Sequence, residues 1–201
     1  MKRTLFFFAI ITSALISSAQ TVSIGAIGGV ALLDQTLNQN ESRRYIVGPS
    51  VEVRFFDHFA VEADALYQRL GNTLYFATVA GVPVSFVSRQ RGNSWEFPLQ
   101  GKYYFRPRTA AWRPFLGTGY AFRTIGVHES ITGPAVIGSG TPPAAHVNFR
   151  SNLGVGAMFS AGLRMGAGRL AILPELRYTR WGSQDNLTRK DEAAFLLGVS
   201  F

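Results

Sequence analysis

The chain of 201 residues contains no cysteine, which excludes disulfide frameworks, thiolate metal sites and cysteine nucleophiles together. Histidine is scarce, with three in all, so imidazole clusters have few positions from which to be built. Charged residues make up 16%, well under the roughly 25% of an average soluble domain. Long apolar runs are missing too. The longest, over residues 5–16, is short of the roughly 20 residues that a spanning helix needs. What the chain does have is 47% hydrophobic residues, 16 Phe, 21 Gly and a formal charge of +8. Such apolar content excludes a disordered chain, and the length allows one domain. A basic balance fits nucleic acid or anionic lipid equally, so the placement of the charges has to decide.

The first nineteen residues read as a cleaved secretory signal peptide. Lys2 and Arg3 form a positive start, the apolar run follows, and Ser17-Ser18-Ala19 before Gln20 places small residues at a cleavage site between Ala19 and Gln20. Its removal leaves 182 residues, 20–201, as the domain, and the loss of Lys2 and Arg3 lowers the charge from +8 to +6.

Within that domain the hydrophobic pattern has period two. Val47, Pro49, Val51, Val53 and Phe55 alternate with Gly48, Ser50, Glu52 and Arg54. Phe59, Val61, Ala63 and Tyr67 alternate with Ala60, Glu62, Asp64 and Gln68, and Trp95, Phe97, Leu99, Tyr103 and Phe105 with Glu96, Gln100 and Lys102. Similar runs follow Pro114, Asn152 and Leu170, and a final one is Phe195, Leu197, Val199, Phe201 against Leu196, Gly198, Ser200. With a Gly-rich opening run over 22–32, this gives eight strands and no helical period. Connections alternate long (34–44, 71–94, 124–150, 182–190) and short (56–58, 106–113, 166–169). That rhythm predicts an all-β, eight-stranded antiparallel up-and-down transmembrane β-barrel, with long loops at one end and tight turns at the other.

A soluble barrel would face its apolar side inward. The opposite orientation is preferred because the polar face is rich in glycine, which suits a narrow interior, and because aromatics gather at both ends of the apolar face. Tyr45, Tyr67, Trp95, Phe122 and Tyr178 lie at the loop end, with Phe55, Phe59, Phe105 and Phe201 at the turn end. The ten steps from Tyr45 to Phe55 span roughly 23–25 Å at a tilt near 45°, close to the height of a lipid-facing band. Pro49 and Pro174, mid-strand, each remove a donor, and a bulge is expected at each.

The inward set then holds Glu52, Glu62, Asp64, Glu96 and Glu175 against Arg54, Lys102, Arg164 and Arg177. Charges so nearly balanced in a narrow lumen are expected to pair into a structural network that plugs it. Acid/base work by Glu62 and Asp64 is less favoured, since residues two apart on one strand face are ordinary neighbours.

Candidate chemistry is thin. His58 lies in a short turn, and His128 and His146 lie in the third long loop, with no metal-ligand spacing. His128-Glu129-Ser130 sets a potential base beside a potential nucleophile, an arrangement ordinarily due to chance in a loop. No catalytic residue, metal or cofactor is assigned. Basic residues (Arg43, Arg44, Arg69, Arg89, Arg91, Arg123, Arg150, Arg180, Arg189, Lys190) concentrate in and beside the long loops. They form a solvated rim or attract the phosphates of an outer-leaflet glycolipid. Nucleic acid is disfavoured, because no basic face with interleaved aromatics emerges. The 71–91 stretch has the look of a β-ribbon beyond the membrane, whose edge could pair with another chain.

This pattern, closing on Phe195-Leu196-Leu197-Gly198-Val199-Ser200-Phe201, resembles the small bacterial outer-membrane barrels of the OmpA/OmpX type. Arg113-Pro114-Phe115-Leu116-Gly117-Thr118-Gly119 and Pro174-Glu175-Leu176-Arg177-Tyr178 are also similar to strands of that superfamily. The resemblance implies a place in the outer membrane and an assembly signal, read by the barrel-assembly machinery, at Phe195, Leu197, Val199 and Phe201. Because the sequence ends with the barrel's last strand, no periplasmic peptidoglycan-binding domain is expected to follow. Lipid A deacylases of similar build carry His-x-Ser-Asn, whereas Phe149-Arg150-Ser151-Asn152 lacks the histidine. The leading expectation is a non-enzymatic barrel displaying long loops to an extracellular partner or serving envelope integrity. A small pore or transporter and a lipid-modifying enzyme remain as alternatives.

Overall fold

A computed structural model of the protein describes residues 21–33, 44–79, 82–132, 145–150, 153–166, 170–182 and 190–201. The signal-peptide assignment, with Ala19 and Gln20, lies outside them. Ten strand segments occur: β1 (Thr21–Ala31), β2 (Tyr45–Arg54), β3 (Phe59–Asp64), β4 (Leu66–Val79), β5 (Val82–Tyr104), β6 (Trp112–Thr132), β7 (Ala145–Arg150), β8 (Gly154–Met165), β9 (Ala171–Trp181) and β10 (Asp191–Ser200). No helix is found among the described residues.

Segments β3 and β4 form one stave interrupted at Ala65, and β7 and β8 form another, so the wall has eight staves. All neighbours are antiparallel, and β1 pairs with both β2 and β10, which closes the barrel. Ile24 and Phe201 exchange backbone hydrogen bonds across that seam. Closure leaves no unpaired edge around the wall, as strands need wherever water cannot satisfy the backbone.

The ribbon expected over 71–91 is present, whereas the connection expected as a loop over 124–150 is largely strand. β4 and β5 run on as a hairpin to Val79 and Val82, with a register shift between Phe76 and Thr78. β6 continues to Thr132 and takes β7 as its neighbour, so His128 and His146 sit on strands rather than in a loop. The expected bulges at Pro49 and Pro174 are absent. Register is unshifted through both residues. The ladder is interrupted instead: Ala65, where β3 and β4 part, lies across from Pro49 and donates to its carbonyl at 3.1 Å. On the other flank the register sets Pro98 across from Asp64. With donors missing on both sides, the stave breaks its pairing without changing count.

The wall is inverted relative to a soluble protein. Exposed large side chains include Val47, Val51, Phe59, Val61, Phe97, Leu99, Leu116, Phe159, Leu176, Phe195 and Leu197, while buried ones include Glu52, Glu62, Lys102, Glu175 and Arg177. Trp95 on β5 and Phe105 just past its end, like Trp112 and Phe122 on β6, repeat the ten-residue spacing of Tyr45 and Phe55. Tyr67 packs on Trp95 with ring centroids 5.2 Å apart, and Phe59 on Tyr103 at 5.1 Å, so aromatic contacts mark both ends of the band.

Inward glycines make room for the interior. A methyl group at Gly162 would stand 2.5 Å from the ring of Phe115, and one at Gly117 would fall on Gln100 and Ser160. Gly162→Val is therefore expected to destabilise the folded barrel by about 1–3 kcal/mol. The urea midpoint of the heat-modifiable folded form on gels measures this, and an unchanged midpoint would mean that Phe115 moves freely.

Candidate functional site

The largest convergence of ionisable groups among the described residues is in the interior. All nine inward charges named from the sequence lie on the inner side, and the structure adds Arg113, Arg123 and Glu192, making six acids and six bases. Arg123, assigned to the solvated rim from sequence, is buried.

The middle tier is held by β3, β5 and β9. Lys102 Nζ lies 2.6 Å from Glu62 Oε2 and 3.0 Å from Glu175 Oε2, bridging two carboxylates from opposite sides of the lumen. Arg177 reaches Glu175 at 2.8 Å, Asp64 at 2.9 Å and Glu62 at 3.4 Å. Gln100 donates to Glu62 at 2.7 Å and accepts from Ser160 at 2.7 Å. Two cations thus hold three carboxylates, and the amide completes the ring. Nearer the turns, the Tyr104 hydroxyl donates to Glu52 at 2.5 Å, and Arg54 and Arg164 approach Glu52 at 3.1 and 3.6 Å. Toward the loops, Glu192 accepts from Arg123 and from the Trp181 indole, both at 3.0 Å, with the Arg123 guanidinium 3.9 Å above the Trp181 ring. Glu96 lies directly across from Arg123 in the ladder.

The turn end is closed by cross-connections. Arg108 donates to Thr21 Oγ1 at 3.1 Å and to the carbonyls of Arg54 and Phe56 at 3.2 and 3.1 Å. Arg113 donates to the carbonyl of Asp57 at 2.6 Å. Between the lower and middle tiers, Ser23, Ser50, Glu52, Lys102, Arg164 and Ser200 help line a cavity of about 20 Å³. That is room for about one water molecule.

Sequence patterning missed Arg113 and Arg123 because the apolar run on β6 was taken to begin after Pro114 and end at Phe122. The parity of Gly117, Gly119 and Ala121, carried two residues each way, reaches both. Glu192 shares parity with Ala194 and Leu196 in the same way.

Elsewhere chemistry is sparse. Glu129 turns to the opposite face from His128 and accepts from Ser88 at 2.6 Å, and His146 sits across from Ser130 in the register. No group of three or more metal-ligating side chains occurs among the described residues. Phe195, Leu197, Val199 and Phe201 all face outward on or at the end of the closing strand β10.

No protein-family model matches the chain, and no curated protein does. Solved structures do. The N-terminal barrel domain of Pseudomonas aeruginosa OprF aligns with a TM-score of 0.53 at 16% identity, covering 92% of this chain and 97% of that one. Neisserial surface protein A aligns at 0.49 and 16% identity over 91% and 98% of the two chains. The attachment invasion locus protein Ail of Yersinia pestis aligns at 0.48 and 10% over 90% and 95%. The fold is that of a small eight-stranded outer-membrane barrel.

Lys102→Met leaves Glu62 and Glu175 with Arg177 as the one cation, among the described residues, still in contact with both. It is expected to lower stability by about 3–5 kcal/mol, measurable as a fall in the urea midpoint. Lys102→Met combined with Glu62→Gln is expected to recover part of that loss, since the buried acid that loses its shortest ion pair is neutralised. No recovery would mean that Lys102 acts through packing alone.

Proposed function

We propose that the protein is a non-enzymatic outer-membrane barrel, closed along its axis, which holds a strand-built platform and its connections outside the cell for contact with surface partners or for envelope integrity. The observation that carries this function is an apolar exterior wrapped around a filled, charge-matched interior. An outer face this rich in large apolar side chains is unsuited to water, and a closed antiparallel wall is what hydrocarbon demands of strands. The tight turns at one end and long connections at the other fit periplasmic turns and extracellular loops, and the fold shared with the OprF barrel supports the same placement.

With six acids, six bases and about one water's worth of free space near the central tier, solute passage is disfavoured, which turns attention to the exterior. There β5 runs thirteen residues past Trp95 to Val82, about 30 Å of height at a 45° tilt. A scaffold of that height, stiffened by its neighbours, suits display rather than catalysis.

Refolded protein in planar bilayers, with folding checked by a heat-dependent gel shift, is expected to give no discrete conductance steps. Reproducible steps from folded protein would make it a pore. Replacing residues 133–144 with a short Gly-Ser link is expected to leave folding stability within about 0.5 kcal/mol while reducing binding by cells that display the barrel. Indifference of every surface phenotype to that replacement would count against display.

A further inference from the structure

Above the loop-end aromatic belt, the outward face of β4 and β5 carries three arginines in adjoining register positions. Arg69 lies across from Asn93, Arg91 across from Gly71, and Arg89 across from Thr73. Arg69 and Arg91 are therefore diagonal neighbours, and Arg89 and Arg91 follow each other on one strand face, each pair separated by about 7 Å along the sheet. All three are exposed, and among the described residues none is engaged by an acidic side chain. The acid on this part of β6, Glu129, faces the other way, where Ser88 holds it. Asn93 adds to the set. The Tyr67 hydroxyl donates to Asn93 Oδ1 at 2.8 Å, occupying the amide's acceptor and leaving its Nδ2 hydrogens to point elsewhere. Among the described residues the patch thus offers donors and cationic charge without a competing carboxylate.

Its height is set by the belt. Tyr67 and Trp95, whose rings pack at a tilt, mark the hydrocarbon boundary. Arg69 is two residues above Tyr67, and Arg91 and Arg89 are four and six above Trp95. At about 3.3 Å per residue and 45° tilt these lie about 5, 9 and 14 Å beyond the boundary. A headgroup layer is about 5–8 Å thick, so Arg69 and Arg91 reach phosphates directly, and Arg89 reaches down to them or out to attached sugars. Guanidinium groups bind phosphate oxygens in pairs, and all three cations here are arginines. The opposite flank is built differently: Arg180 sits across from Asp191 in the ladder, and Asp191 also accepts from Tyr178 at 2.6 Å.

We propose that Arg69, Arg89, Arg91 and Asn93 form a lateral binding site for the phosphate groups of a membrane-embedded glycolipid, which docks against the outside of the barrel with its chains beside Tyr67 and Trp95. The site rests on the outer-membrane placement given above and assigns its lipid partner to one flank.

The test uses the full chain refolded into phosphatidylcholine vesicles with or without one tenth of bisphosphorylated lipid A, reading the thermal midpoint of the heat-modifiable form. Wild type is expected to gain about 4–8 °C from lipid A. The Arg69→Gln/Arg89→Gln/Arg91→Gln variant should fold equally well in phosphatidylcholine yet lose more than half of the gain, and Arg180→Gln should keep it. Lipid A stripped of phosphate should give no gain. Should the triple variant fail to fold, Arg91→Gln alone carries the same comparison. An equal gain in the arginine variants, or no gain in wild type, overturns the site while leaving the barrel in place. A gain from soluble inositol hexaphosphate in pure phosphatidylcholine, matched by no gain from lipid A, overturns the membrane source in favour of a free polyanion. Failure of wild type to fold into any vesicle overturns the outer-membrane placement and the site together.

Discussion

Lys102 stands between Glu62 and Glu175, and much of the rest of the molecule follows from the need to keep that ammonium and those carboxylates together. None of the three can be left alone in a dry lumen without a cost of several kcal/mol. The three strands that carry them must therefore close at one circumference and in one register. A slip of one residue on β5 would turn Lys102 to the outer face and bring Gly101 or Tyr103 inside. The apolar exterior does not discriminate so sharply, because Leu, Phe and Val exchange places against a fluid surrounding at small cost. Specificity of register comes from the polar interior, and the lower and upper tiers repeat the device at Glu52 and at Glu192.

Small residues and prolines then adapt the wall to what it encloses. Gly117 and Gly162 give up side-chain volume that Gln100, Ser160 and Phe115 occupy. Arg108 and Arg113 bind the turn-end backbone across the barrel mouth, converting carbonyls that would face a narrow opening into satisfied acceptors. Ala65 shows the tolerance of the arrangement. A stave loses its ladder between Pro49 and Pro98, and the register resumes unshifted because the flanking side chains, Asp64 and Gln68, are already committed to the interior.

Period-two alternation was legible because an apolar outer face and a polar, charged inner one impose opposite chemistry on successive residues, as along β8 and β10. Parity also distributes Glu52, Glu62, Lys102 and Arg177 to one side without any knowledge of partners. Partner identity is another matter: Arg123 meets Glu192 across 69 positions of chain, and no local pattern encodes that meeting. Strand ends were illegible for a related reason. Above Phe122 on β6 the outward positions become Thr124, Gly126 and His128, so the apolar signal stops while the backbone pairing continues. The bulges expected at Pro49 and Pro174 assumed that a missing donor must change the residue count. The sheet instead forgoes the bond and keeps the count.

A closed barrel in a bilayer has no front or back, since rotation about its axis brings equivalent apolar wall to every neighbour. The hairpin of β4 and β5 and the extension of β6 break that equivalence. Among the described residues they raise a wall over one arc of the rim, while β1, β2, β9 and β10 stop near the aromatic belt. The molecule thereby acquires an azimuth. In the proposed outer-membrane setting, a neighbour diffusing in the plane of the membrane meets a tall sheet from one bearing and a low rim from another, so its encounters have direction although its anchor has none.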